Sequence, residues 1–495
     1  MTAGHRGRGA HGTSIRRLPV IVVVVLALAL AGYADHAVHT AVPAPPSATL
    51  AASTPPIGAE STSWYCTGAS GSANGIASAT LYLVNTRAAA AQATMTVVND
   101  TGSTASVPVA VPAGAEVTAV PGLVEQGTWL AARVDLEGGG VTVSELVDGS
   151  AGWAVSPCAT TTSTQWYFAS GSTANGSGLY VSLYNPAATA AVVDLAFSTP
   201  AGVVEPQAFE GLVVQPGQLV VAGVASYVQN QASVSTTVEA RSGRVVAAEL
   251  QEYTANNLSG LSLRLGSPSP ESRWAFPRTV DVTGGQTDFS VFNPAAVPRR
   301  VTISVRIPTG PVAPFTETVP AESTWILQAS DSTRIPANSD YATTVSVGGG
   351  DGVVVDRTVN SGTAGTPPQW GAVPGVAGSS IAAVSRRWIV PTPQLPATPP
   401  VSGATPFALG VSNPGDVSVE VTISSITPAG LRRLPSMPTL TLAPGQFAVV
   451  EQPAFAHAGI SALLLEATGG IATMEDAVPA GMPGVVAMPG VPEDG

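Results

Sequence analysis

The chain has 495 residues, 45% hydrophobic and only 11% charged, with 52 Gly and 43 Pro. That length admits three or four domains, and a charged fraction well under the ~25% usual in soluble domains, beside so much Gly and Pro, suits short strands and turns and excludes a mainly helical body. All the basic residues are Arg, four of the 20 precede the first acidic residue, Asp35, and the remaining 16 face 32 carboxylates, a net −16 that excludes nucleic acid as a partner.

Residues 1–17 form a basic N-terminus that the positive-inside rule keeps cytoplasmic. The apolar run 18–34 carries no charge, so it reads as an export signal: one helix, either retained as a membrane anchor or cleaved. Everything beyond it is expected outside the cytoplasm, single-pass at the cell membrane or secreted. Residues 35–62, rich in Ala, Pro, Ser and Thr, read as an extended stalk.

From there the chain repeats itself. "WYCTG" begins at Trp64, "WYFAS" at Trp166, "WAFPR" at Trp274 and "WIVPT" at Trp388, spaced by 102, 108 and 114 residues. An alternating strand follows each and halts at Asn85, Asn185, Asn293 and Asn413, where Asn tolerates a turn and bonds its own backbone. A second strand then reaches Gly102, Gly202, Gly310 or Gly430, each placed to supply a positive φ for a hairpin. The last strand of each repeat carries a carboxylate: Glu145, Glu249, Asp356 and Glu475.

About seven short strands per ~100 residues, with turn signals every 8 to 12, predict an all-β protein of four tandem immunoglobulin-like antiparallel β-sandwiches. Their expected bounds are 63–160, 161–268, 269–362 and 385–478, with a Gly/Pro-rich linker at 363–384 and a flexible tail at 479–495. Strung in series, they would form a rod. An eight-bladed propeller with two blades per repeat is the competing architecture.

Cys66 and Cys158, the only cysteines, follow the export signal and are expected to pair as a disulfide that ties the start of the first sandwich to its end. The phrases Trp64-Tyr65-Cys66 and Trp166 to Thr173, each leading to a strand that ends in Asn, resemble an uncharacterised actinobacterial family of exported or membrane-anchored proteins with W-Y-F-A-x-G-x-T repeats. The resemblance is strongest over the first two repeats and implies location, not activity.

No catalytic constellation assembles. Of five His, only His457 lies in the folded body, and neither G-x-S-x-G nor H-E-x-x-H occurs. A carboxylate repeated once per domain occupies one position in four places, so no two need meet in a pocket. No cofactor or metal is expected. The chain therefore reads as a noncatalytic structural or adaptor protein of the cell envelope, with envelope proteins or cell-wall polysaccharide as partners. If Trp64, Tyr65, Trp166, Tyr167 and Phe168 were exposed, they would offer flat rings to a glycan.

Overall fold

In the computed structural model, the described residues are 51–56, 59–69, 71, 75–255, 258–280, 286–337, 339–349, 352–361, 369–374, 376–377, 385–391, 405–434, 437–451, 462–478 and 486–493. The apolar segment 18–34 lies outside them, and no helix of the described residues is long and apolar enough to cross a membrane.

The described chain is all-β, and one strand path recurs four times. The first repeat contains β1 (Ser61–Ala69), β2 (Ala77–Asn85), β3 (Ala91–Asn99), β4 (Thr104–Val111), β5 (Glu116–Ala119), β6 (Leu130–Glu137), β7 (Val141–Gly149) and β8 (Gly152–Pro157). The second contains β9 (Gln165–Phe168), β10 (Gly178–Tyr184), β11 (Ala191–Thr199), β12 (Gly202–Val204), β13 (Leu212–Val214), β14 (Leu219–Gly223), β15 (Ser235–Ser242), β16 (Val246–Ala255) and β17 (Leu258–Leu265). The third contains β18 (Arg273–Val280), β19 (Gln286–Asn293), β20 (Arg299–Ile307), β21 (Gly310–Pro311), β22 (Phe315–Val319), β23 (Ser323–Gln328), β24 (Asp340–Val347), β25 (Val354–Ser361), β26 (Gln369–Pro374) and β27 (Val376–Ala377). The fourth contains β28 (Arg387–Pro391), β29 (Thr405–Ser412), β30 (Val419–Thr427), β31 (Gly430–Arg433), β32 (Leu440–Leu442), β33 (Phe447–Glu451), β34 (Ala462–Ala467), β35 (Ala472–Val478), β36 (Val486–Pro489) and β37 (Val491–Pro492).

Each repeat folds into two antiparallel sheets. In the first they run β1-β6-β3-β4 and β5-β2-β7-β8, and the other repeats keep this order, with the strand equivalent to β4 broken in two. The predicted count of seven strands misses the last position, occupied by β8, β17, β26 and β36. Residues 363–384, expected as linker, supply β26 and β27, and residues 479–495, expected as a tail, supply β36 and β37. Their Gly and Pro do not prevent this, because Pro374, Pro489 and Pro492 end their strands, where a missing donor costs little.

The repeated Asn is a buried brace. Asn185 Nδ2 donates to the carbonyls of Thr189 and Val214 at 2.8 and 2.9 Å, and its Oδ1 accepts from Ala187 N at 3.0 Å. Asn85, Asn293 and Asn413 repeat this pattern. The hairpin glycines Gly102, Gly202, Gly310 and Gly430 all have positive φ, as expected. The Cys66–Cys158 disulfide forms, with Cα atoms 4.7 Å apart. It clips β1 to the segment leaving β8, where Tyr65 and Ala159 also exchange backbone hydrogen bonds.

The repeats do not string out in series. On each tryptophan strand the Trp faces its own core, while the next residue crosses to the following repeat. Trp64 packs in the first core, and Tyr65 meets Tyr184 of the second with ring centroids 6.2 Å apart. Tyr167 and Ala169 join the third core, Ala275 joins the fourth, and Ile389 packs on Val84 of the first. Closure is sealed by Thr54 N donating to Pro492 O at 2.7 Å and by a parallel bridge between Thr54 and Glu493. The four repeats therefore form a closed ring with four seams. At the second seam, between repeats two and three, β17 and β26 pair in parallel at Ser259 and Gln369, which fuses two sheets into one of eight strands.

Replacing Asn185 by Ala strands the buried carbonyl of Val214, the carbonyl of Thr189 and the amide of Ala187. The expected loss is about 3 kcal/mol, measured by denaturant unfolding, and removal of the disulfide that closes a 92-residue separation should cost about 4 to 5 kcal/mol.

Candidate functional site

The five aromatic residues singled out in the sequence are not platforms. Trp64 and Trp166 are 0% exposed, and Trp166 Nε1 donates to Val245 O at 2.9 Å. Phe168 lies in the second core, Tyr167 is buried across the second seam, and Tyr65 is half-buried against Tyr184. The rest of the phrase "WYFASGSTANG" is a turn gripped from both sides. Ala169 N, Ser170 N and Ser170 Oγ donate to Asp356 at 3.0, 2.9 and 3.0 Å. Ser172 N donates to Gln251 Oε1 at 2.7 Å, and Gln251 Nε2 donates back to Ser172 O at 3.0 Å.

That grip overturns the expectation that the repeated carboxylates stay apart. Packing of the second repeat on the third brings Glu249 and Asp356 onto one guanidinium, Arg264 of β17, which donates through Nη2 to Glu249 and through Nη1 to Ser170 Oγ and, at 3.3 Å, to Asp356. All three charged side chains are almost wholly buried. Arg264 stands opposite Glu249 in the β16–β17 register, where the other repeats place Ser156, Pro374 and Met488 opposite their carboxylates.

Two carboxylates sharing one cation leave the cluster a proton short of neutrality. Burial pushes Glu249 up to about 7 against the pull of Arg264, and it raises Asp356, opposed by Arg264 and the Ser170 and Ala169 donors. Glu145, with no cation opposite, is pushed by burial to about 8 and lines a water-sized void with Cys66, Cys158 and Ser156. Glu475 is buried in the fourth repeat.

The other feature able to hold a ligand is at the third seam, between repeats three and four. The first seam is filled by Tyr65, Val98, Trp129, Ala131, Tyr184 and Leu219. The strand registers make Ala275, Arg306, Asp340, Ala342, Ser412 and Phe447 their equivalents at the third seam. Two tyrosines and a tryptophan thus give way to Ala, Ser and Asp. A groove of about 490 Å³ opens there, lined by Arg306, Ile307, Asp340, Leu440, Gln446 and Phe447 among others. Asp340 is paired with Arg278 at 2.9 Å, whereas the side chain of half-buried Arg306 makes no hydrogen bond or ion pair with any described residue.

Neither Arg264 nor Arg306 was legible as functional. A lone Arg in a strand gives no local signal, although aligning the repeats position by position would have exposed Arg306 standing for Val98. Among the described residues no group of His, Cys, Asp and Glu could hold a metal ion, and His457 lies outside them.

Residues 140–386 match a family of unknown function (DUF5719). The match starts at β7 and runs through the third repeat, whereas the resemblance was expected to be strongest over the first two. No curated protein matches the chain. Among solved structures the chain is similar to a crystal structure of Thermotoga maritima 1070, at 13% identity over 22% of this chain and 97% of that one, with a TM-score of 0.20. It is also similar to a tetra-tandem repeat from the extending region of a large adhesion protein, at 11% identity over 82% and 92% of the two chains, with a TM-score of 0.10.

Because Glu249 and Glu145 hold protons in the folded ring that the unfolded chain has already released above pH ~5, stability should fall as pH rises from about 5 to about 8 and then level off. Thermal unfolding across that window checks it, and Glu145→Gln with Glu249→Gln should flatten the slope. Arg264→Met leaves two buried carboxylates without their cation and should cost about 3 to 5 kcal/mol at pH 8, and less at pH 5, where both can protonate.

Proposed function

We propose that the chain is a noncatalytic extracytoplasmic structural or adaptor protein of the cell envelope, held at the membrane or released according to the fate of residues 18–34. In this reading each repeat is an immunoglobulin-like sandwich, and the four act as one rigid body because every tryptophan strand is shared between two repeats. The observation that carries the reading is the use made of the polar groups. Glu249 and Asp356 are consumed by the cluster at the second seam, while the third seam leaves an open groove beside the Arg306 guanidinium, unpaired among the described residues. That arrangement suits binding better than bond-making, since no nucleophile and base converge among the described residues.

The polysaccharide alternative loses its footing, because it relied on exposed rings at Trp64, Tyr65, Trp166, Tyr167 and Phe168. Four of these are buried and Tyr65 is half-covered. The acidic surface and the basic residues ahead of the apolar run support export.

Fractionation of cells expressing the full chain, combined with protease protection, should place the body beyond the cytoplasmic membrane. Cross-linking there should then retrieve a reproducible envelope protein. Recovery of the body in the cytoplasm, or hydrolysis of a cell-wall substrate by the purified chain, would sink the proposal.

A further inference from the structure

The four seams are built from equivalent positions, so their differences are informative. The first is filled by aromatic rings and aliphatic side chains, and the fourth by Val84, Ile389, Ile426 and Ala462. At the second, Ser235 Oγ and Thr324 Oγ1 meet at 2.6 Å across the same positions that Ala131 and Leu219 occupy at the first. At the third, two tyrosines and a tryptophan give way to Ala275, which packs into the fourth core, to Ser412, and to Asp340, which pairs with Arg278 of its own repeat. There, too, an Arg stands where the first seam has a Val.

We propose that the third-seam groove is a docking site for an extended segment of a partner protein that lies along β33 and brings an aromatic side chain beside a carboxylate. Three observations define this occupant. Trp129 of the first seam gives way to Asp340, which lines the groove, so an inserted ring restores at that position what the first seam supplies from within. Arg306 is half-buried and unpaired among the described residues, and a guanidinium partly withdrawn from water favours a carboxylate able to take two of its donors. Among the described residues β33 pairs with β29 alone, so its other edge faces the groove without a described strand on it, as strand addition requires. Leu440, Leu442 and Val449 supply the apolar wall for alternate side chains. Asp340 does not compete for the ligand's acid, because Arg278 already neutralises it. The inference rests on the adaptor reading only in taking the occupant to be another protein.

The test is selection of a random seven-residue peptide library on the full chain. Recovered peptides should share an acidic residue next to an aromatic one within an alternating, β-prone sequence. In titrations of a recovered peptide, Arg306→Glu should weaken binding about tenfold or more, and exchange of the peptide's acid for Lys should restore it. Ser412→Tyr, which reinstates the residue of the first seam, should abolish binding without lowering the unfolding temperature, and N-methylation of alternate peptide amides should do the same through the strand edge. No enrichment, or equal binding to the parent chain and both variants, would overturn the site. Equal binding of free indole-3-acetate would overturn the extended segment and leave a small-molecule pocket. Peptides that bind while cross-linking retrieves no envelope protein would sink the adaptor reading alone. An envelope partner retained equally by the Ser412→Tyr chain would sink this site alone.

Discussion

The structure depends on one strand that has two apolar faces. A tryptophan strand in an isolated sandwich would bury Trp64 or Trp166 and show its neighbouring residue to water. Here those neighbours are Tyr65, Tyr167, Ala275 and Ile389, each lying on the next repeat. A series of such repeats leaves one strand uncovered at its end unless the last repeat covers the first. Ile389 on Val84 and Thr54 beside Pro492 and Glu493 are that final step. Closure removes the exposed ends that other repeat arrays must cap with polar surfaces.

Closure also dictates where charge can survive in the interior. Strands β7, β16, β25 and β35 each bring a carboxylate into the interior, where Asp356 meets the repeat before it and Glu249 and Glu145 the repeat after. A buried ion pair is weak support for stability in itself, but breaking one is costly, so the Arg264 cluster fixes register more than it adds strength. It ties together the turn after β9, strand β17 and strand β25, elements of two repeats that also share the eight-stranded sheet. The carboxylate without a cation, Glu145, meets the same burial by holding its proton.

The sequence made legible whatever repeats with a local cause. The Trp spacing, the turn at each Asn and the hairpin glycines each follow from a residue and its chain neighbours, the pairing of Cys66 with Cys158 follows from their being the only cysteines, and each is present. What it hid depends on distance. Strands β26, β27, β36 and β37 read as linker and tail because their Gly and Pro outweigh short apolar runs, yet pairing to an existing sheet edge suffices to order them. The second face of the tryptophan strand was invisible for another reason: alternation tells buried from exposed within a sandwich and cannot say that a neighbouring repeat covers the outer face. For the same reason equivalence between repeats was mistaken for separation, and the meeting of Glu249 and Asp356 at Arg264 was missed.

A ring of near-equivalent seams constrains how one seam can change. Truncating a buried aromatic in a filled interface costs about 3 to 5 kcal/mol, so putting Ala275, Asp340 and Ser412 in place of two tyrosines and a tryptophan costs the third seam those ring contacts. In an open series that loss would let the fourth repeat swing away. In a closed ring the fourth repeat is also held by the first, through Ile389, Ile426 and the Thr54 bridge, and Arg278 packs closely on Gly410 across the third seam. Closure therefore permits a gap that tandem packing would not, and the seam that carries the groove is the place where a surface can be left open for another chain without loss of the fold.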